Sequence, residues 1–173
     1  ETNPQNQTKK TNLMKPTANN KEFAIHPEHV GPAVCVDCTP PRMVDTPFGQ
    51  KQKFNIVFET EALREDGTRF CVWAGFTASL NEKSSLRKFL RSWLGRDLTL
   101  AEQKEFDLES LIGRTANLTI VHNQVQDGRT FANIALIRPD KSPNPLKPSG
   151  KFVRKQDRQQ RDADSNYQRA EQP

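Results

Sequence analysis

The chain has 173 residues, of which 34% are hydrophobic, and it carries 12 Pro, 8 Gly and a net charge of +5. That length favours one domain with appendages over two full domains, and the low apolar fraction leaves core material for only one. No apolar run is long enough to span a bilayer, no signal-peptide pattern is present, and three Cys without framework spacing suit a reducing compartment. A cytoplasmic protein, in a bacterial or host cell, is expected.

The charge is unevenly placed. Residues 1–22 hold four Lys and two Glu, with Leu13 and Met14 as the only large apolar side chains. Residues 141–173 hold eight Lys or Arg and four acids, with only Leu146, Phe152, Val153 and Tyr167 as large apolar residues. Neither stretch can bury enough surface to offset the entropy of ordering it, so both are expected to be disordered tails. Between them, residues 23–140 carry a net charge of −1 and almost all the aromatic and β-branched residues, enough for one domain. Basic tails raise encounter rates with a polyanion and add salt-sensitive affinity; the same composition also keeps a linker solvated.

A first strand is predicted over residues 33–39, where Val34, Val36 and Cys38 alternate with Ala33, Cys35 and Asp37. Pro40 and Pro41 cannot continue a central strand, so a loop is expected through Gly49. The second strand, 51–60, sets Phe54, Ile56 and Phe58 on one face and Lys51, Lys53, Asn55 and Val57 on the other. Asp66-Gly67 reads as a hairpin turn, because this pair readily supplies positive φ. The third strand, 69–80, alternates Phe70, Val72, Ala74 and Phe76 against Arg69, Cys71, Trp73, Gly75 and Thr77, and the mid-strand Gly predicts a bend.

Helical spacing then takes over. Ser84 or Ser85 is a candidate N-cap, Leu86, Phe89, Leu90 and Trp93 form an apolar stripe, and Gly95 is a stop. Arg87, Lys88 and Arg91 lie off the stripe and read as a solvated face paired with nearby acids. Thr99 with Glu102 is a capping box opening a second helix to about Phe106. A fourth strand at 114–122, an Asp127-Gly128 turn and a fifth strand at 130–137 complete the domain, and Pro139 begins a Pro-rich linker. The order β-β-β-α-β-β, with the helix between strands three and four, is that of a mainly β, five-stranded OB-type barrel.

Certain runs carry a resemblance as well. Phe58-Glu59-Thr60, Asp66-Gly67, the stretch from Phe76 to Leu86, Phe89-Leu90 with Trp93, Phe106 to Gly113, Asn117 to His122 and Phe131 to Ile134 together resemble small proteins of bacteriophages and integrated elements that are often labelled single-stranded DNA-binding or replication-associated. The resemblance covers about residues 30–138. It implies an OB-like fold and a role in DNA replication or recombination, and it supplies no set of binding residues, which come instead from strand geometry.

An OB barrel takes single strands across strands two and three, flanked by the loops between strands one and two and strands four and five. Aromatic faces stack bases and cations follow phosphates. Trp73 alternates out of phase with the apolar set of its strand and is the leading stacking candidate. Lys51, Lys53, Asn55, Arg69 and Thr77 share the outward faces. Phe48 and Arg42 in the first long loop and Arg129 before strand five complete the set. Phe54, Phe58, Phe70, Phe76, Phe89 and Trp93 are expected in the core.

His26, His29, Cys35 and Cys38 are zinc-ligand types, but a strand directs residues three apart to opposite faces, so no metal is expected. Acids are scattered, and no phosphate-cradling Gly loop or nucleophile elbow occurs, so neither catalysis nor a cofactor is expected. The expectation is a sequence-tolerant single-stranded DNA-binding protein with replication or recombination partners. The alternative is a protein-interaction adaptor, or inhibitor of a host factor, which the near-neutral middle of the chain would suit.

Overall fold

Apolar–polar alternation becomes strand where it was expected, in a computed structural model that describes residues 24–170, with side chains as far as residue 162. The strands are β1 (His29–Cys38), β2 (Arg42–Thr46), β3 (Gly49–Leu63), β4 (Arg69–Thr77), β5 (Thr115–Gln124) and β6 (Thr130–Pro139). The helices are α1 (Ser85–Leu94), α2 (Leu100–Lys104) and α3 (Lys155–Ala170), with a 3₁₀ turn at Leu108–Leu111. The protein is therefore mainly β. Residues 1–22, where an N-terminal tail was expected, lie outside the described residues.

All six strands form one antiparallel sheet, ordered β2-β3-β1-β5-β6, with β4 also paired to β3. Two expectations need correction. The sheet has six strands rather than five, because residues 42–46 pair with β3 instead of looping freely. Their register continues that of β1: Cys38 pairs with Ile56, and Arg42 then pairs with Lys53. The prolines at 40 and 41 break the ladder without ending the hairpin. Alternation at 42–46 could not reveal the strand, since β2 packs no fully buried side chain. Secondly, the sheet is not closed into a barrel. Cα atoms of β4 and β6 come within 8 Å of each other, but no ladder joins them.

Helix α1 packs against both of those strands. Ser84 Oγ accepts the Arg87 N–H at its start, and Gly95, with φ +70°, ends it. The stripe Leu86, Leu90 and Trp93 is buried. Phe58 meets Trp93 edge-on with ring centroids 5.0 Å apart, and Phe76 lies 4.8 Å from Phe89. Trp93 Nε1 donates to Thr115 O at 2.8 Å, so its polar edge is satisfied inside the core. Arg87 and Arg91 both close on Asp97, at 2.9 and 2.8 Å, so two of the three cations on the basic face of the helix are paired with an acid. The capping box of Thr99 and Glu102 is present.

Beyond Pro139 the structure departs from the disordered tail that composition predicts. Leu146 and Phe152 pack on Val34, Val36 and Val57, an apolar strip on the outer face of the sheet. Two nearly sealed carboxylates flank that strip, Asp37 at 1% and Glu59 at 2% exposure. The Ser149 hydroxyl and N–H donate to Glu59 at 2.6 and 2.8 Å. Arg154 Nε and the Lys155 N–H donate to Asp37 at 3.1 and 2.9 Å, and Arg154 also meets Glu109. A few apolar residues suffice here because the sheet supplies the rest of a second core and two charges awaiting partners.

Two stability measurements test this packing. Trp93→Ala should cost about 3–5 kcal/mol, the usual range for emptying a large aromatic site, read by urea denaturation. Arg154→Ala should cost roughly 2–3 kcal/mol, somewhat under the ~3–5 kcal/mol for breaking a fully buried pair because Arg154 itself keeps 22% side-chain exposure. Asp37→Asn/Arg154→Ala together should cost less than the two single changes added, since both single changes remove the same Asp37–Arg154 pair.

Candidate nucleic-acid interface

The outer faces of β3 and β4 carry the candidate side chains because successive residues of a strand point to opposite sides. The ladder sets Lys53 opposite Thr77, Asn55 opposite Gly75 and Val57 opposite Trp73. At one end of this face, Arg42, Lys53, Asn55 and Thr77 line a groove of about 290 Å³. Gly75 keeps it open: a Cβ there would stand 3.1 Å from Asn55 Oδ1. The structure thus unites four of the expected residues, two of them cations.

Trp73 lies farther along β4 with 51% of its surface exposed, as its phase predicts. It borders two further grooves, one of about 710 Å³ shared with Arg64, Arg69 and Phe152, the other of about 430 Å³ shared with Ile25, Arg64 and Phe131. Arg69, expected to be available to phosphates, is engaged: its guanidinium donates to Lys147 O at 2.6 Å and lies 3.6 Å from Glu59. The ordered C-terminal segment, which composition could not foresee, claims it.

Phe48 and Lys51 are set apart. Phe48, 86% exposed, tips the β2–β3 hairpin with Lys51 Nζ 5.6 Å from its ring centroid, so it plugs nothing. Some eight residues of β3 separate that tip from the position opposite Trp73, roughly 25 Å of strand. Arg129 sits at the β5–β6 turn, paired with Asp127 at 2.6 Å and stacked 5.6 Å from the Phe131 ring.

Phe131 was missed. It is 45% exposed and lines the same groove as Trp73. The signal was available, because Phe131 alternates out of phase with Ala132 and Ile134, the test that singled out Trp73.

The Cys35–Cys38 expectation also needs correction. A register shift between Cys35 and Asp37 inserts an extra residue into β1, restoring phase so that both thiols enter the same core cluster. The neighbouring Cys38 thiol and burial push the Cys35 thiol well above its ordinary value. Cys71, beside Trp73, is pushed up to about 11, chiefly by burial and then by Glu59, so its thiol stays protonated near neutral pH. Among the described residues no group of three or more His, Cys, Asp or Glu is placed to hold a metal ion. No helix among them is long and apolar enough to cross a membrane.

His26 is buried under this site. Its Nδ1–H donates to Pro27 O at 2.7 Å, leaving Nε2 to accept from the Thr60 hydroxyl at 2.7 Å. Burial holds the imidazole below its ordinary 6.5, against the opposing Pro27 bond, and the charges of His29, Arg64 and His122 lower it further.

No family model, curated protein or solved structure matches the chain.

Because His26 is neutral when folded and binds a proton more readily when unfolded, stability is fully present above pH 6.5 and declines as pH falls below it. The loss is up to about 1.4 kcal/mol per pH unit for this one group. Thermal melts between about pH 7.5 and 5.5 should show that decline, and His26→Gln should flatten it.

Proposed function

We propose that the protein is a non-enzymatic, sequence-tolerant single-stranded DNA-binding module of OB type, acting in the replication or recombination of a bacteriophage or integrated element. The observation that carries this reading is Trp73, a half-exposed indole on a paired strand, bordered by grooves that include cations. A stacked base is worth about 1–3 kcal/mol irrespective of its identity, which is what sequence tolerance requires. Arg42 and Lys53 give the same face two positive charges beyond Trp73.

The OB-type reading draws on the strand order. Read from β4 through β3, β1 and β5 to β6, with β2 taken as an extension of β1 and α1 joining β4 to β5, the strand order supports the reading of an OB barrel left open between its third and fifth strands. The phage or integrated-element setting rests on the resemblance carried by residues 30–138.

A second reading is favoured by one observation. The outer face of β1 and β3 already grips an extended segment through Val34, Val36 and Val57, with Glu59 and Asp37 at its margins. A face so equipped suits an adaptor that holds a peptide of a replication or recombination partner.

Fluorescence anisotropy with a labelled thirty-nucleotide oligo-dT separates the two. DNA binding should weaken with salt, with a log–log slope of about −0.7 per neutralised phosphate. Trp73→Ala should lose about tenfold or more in affinity, equivalent to ~1.4 kcal/mol. Arg42→Gln/Lys53→Gln should make the salt slope shallower by about 1.4. Absence of binding by the wild type at low salt would reject DNA binding and favour the adaptor.

A further inference from the structure

The C-terminal segment does more than cover an apolar strip. It brings Lys151, Arg158 and Arg161 to the groove of about 710 Å³ that Trp73 and Arg64 border from the sheet side. With Arg69, five cations line this groove against two carboxylates, Glu59 and Asp66. Glu59 is occupied by Arg69 and Ser149, and Asp66 by the N–H and hydroxyl of Thr68. Among the side chains described, which end at residue 162, no carboxylate lies within 4.0 Å of Arg64, Lys151, Arg158 or Arg161. Positive charge therefore remains for a ligand.

Two of these guanidinium groups are held in place without being neutralised. Arg64 lies over the Phe70 ring at 4.5 Å. Arg158 lies 5.7 Å from the Phe152 centroid and donates twice to Val153 O, at 2.9 and 2.7 Å. Neither a ring nor a carbonyl cancels a formal charge, so these groups are pre-positioned for an anion. Arg64 and Trp73 also border the neighbouring groove, which Phe131 lines. A continuous track results, with two exposed aromatic rings and cations along one wall.

We propose that this track, walled by residues 151–161, is where a nucleic-acid single strand lies, with bases on Trp73 and Phe131 and phosphates against Arg64, Arg158 and Arg161. The proposal rests on the single-strand reading above and extends it: the C-terminal segment becomes part of the binding site rather than a disordered basic tail beyond it. Alternating planar apolar rings and multiple fixed guanidinium groups match a chain of bases and phosphodiesters, since stacking needs the rings and the phosphates need the charge. A polyanion lacking bases, such as an acidic peptide, would use only the second of these.

The test uses the full chain and labelled oligo-dT across a salt series. Arg158→Glu/Arg161→Glu should weaken binding at least tenfold and make the salt slope shallower by at least about 1.4, the two lost phosphate contacts at about 0.7 each, with the added repulsion on top. Lys151→Gln/Arg161→Gln removes charge without touching the Arg158–Val153 bonds and should give a smaller loss in the same direction, with an unchanged thermal melt. Phe131→Ala should weaken binding by several-fold or more. Lys104→Gln, at the end of α2 and outside all three grooves, serves as the control and should leave binding unchanged. If the wild type binds and Trp73→Ala weakens it, but both charge variants match the wild type in affinity and slope, the C-terminal wall is overturned while the single-strand reading stands. Failure of the wild type to bind overturns both. Displacement of oligo-dT by hexaglutamate as readily as by unlabelled dT would overturn the assignment to nucleic acid.

Discussion

Asp37 and Glu59 stand on the outer faces of neighbouring strands, almost sealed from solvent, and an unpartnered carboxylate in that setting would cost several kcal/mol. Arg69 on β4 approaches Glu59, but the hydrogen bonds that satisfy the two acids come from ninety or more residues away in sequence, in Ser149, Arg154 and the Lys155 N–H. This pairing orders a segment with little apolar content of its own. Once ordered, the segment buries the Val34, Val36 and Val57 strip, draws Arg69 away from solvent and sets the start of α3 beside Trp73. The shape and charge of the candidate site follow from those two acids.

The inner side of the sheet obeys a different constraint. Where β4 and β6 run side by side without hydrogen bonds, their edges expose backbone groups that could pair with another chain. Helix α1 lies against both strands, anchored by Trp93 and the Phe58, Phe76 and Phe89 rings. The sheet therefore offers its outer face, rather than an edge, as working surface. A rigid sheet is also a good platform for stacking, because the rings it carries lose little further freedom when a base settles on them.

How much of this could be read in the sequence varies by element. The out-of-phase position of Trp73 was legible because alternation at period two is a local property, and Phe131 could have been found by the same test. Residues 42–46 could not, since their strand is held by the hairpin with β3 and buries no side chain fully. The convergence of Cys35 and Cys38 depended on an extra residue in β1, which shifts phase within four positions and leaves no compositional trace. Arg69 illustrates the opposite error. It lies on the outward face as expected, yet its charge is spent on Glu59 and a carbonyl of the returning segment.

The amino-acid sequence by itself determined five of the six strands, the capped helix α1, the aromatic core and the outward indole, because periodicity, caps and turn residues act over a few positions along the chain. The tertiary structure alone decided that residues 141–162 belong to the fold, that Arg69 is unavailable, and that Arg64, Arg158 and Arg161 share a groove with Trp73. Those outcomes depend on which distant charges can neutralise two buried carboxylates and which apolar strip remains uncovered. Neither quantity exists until the sheet has formed.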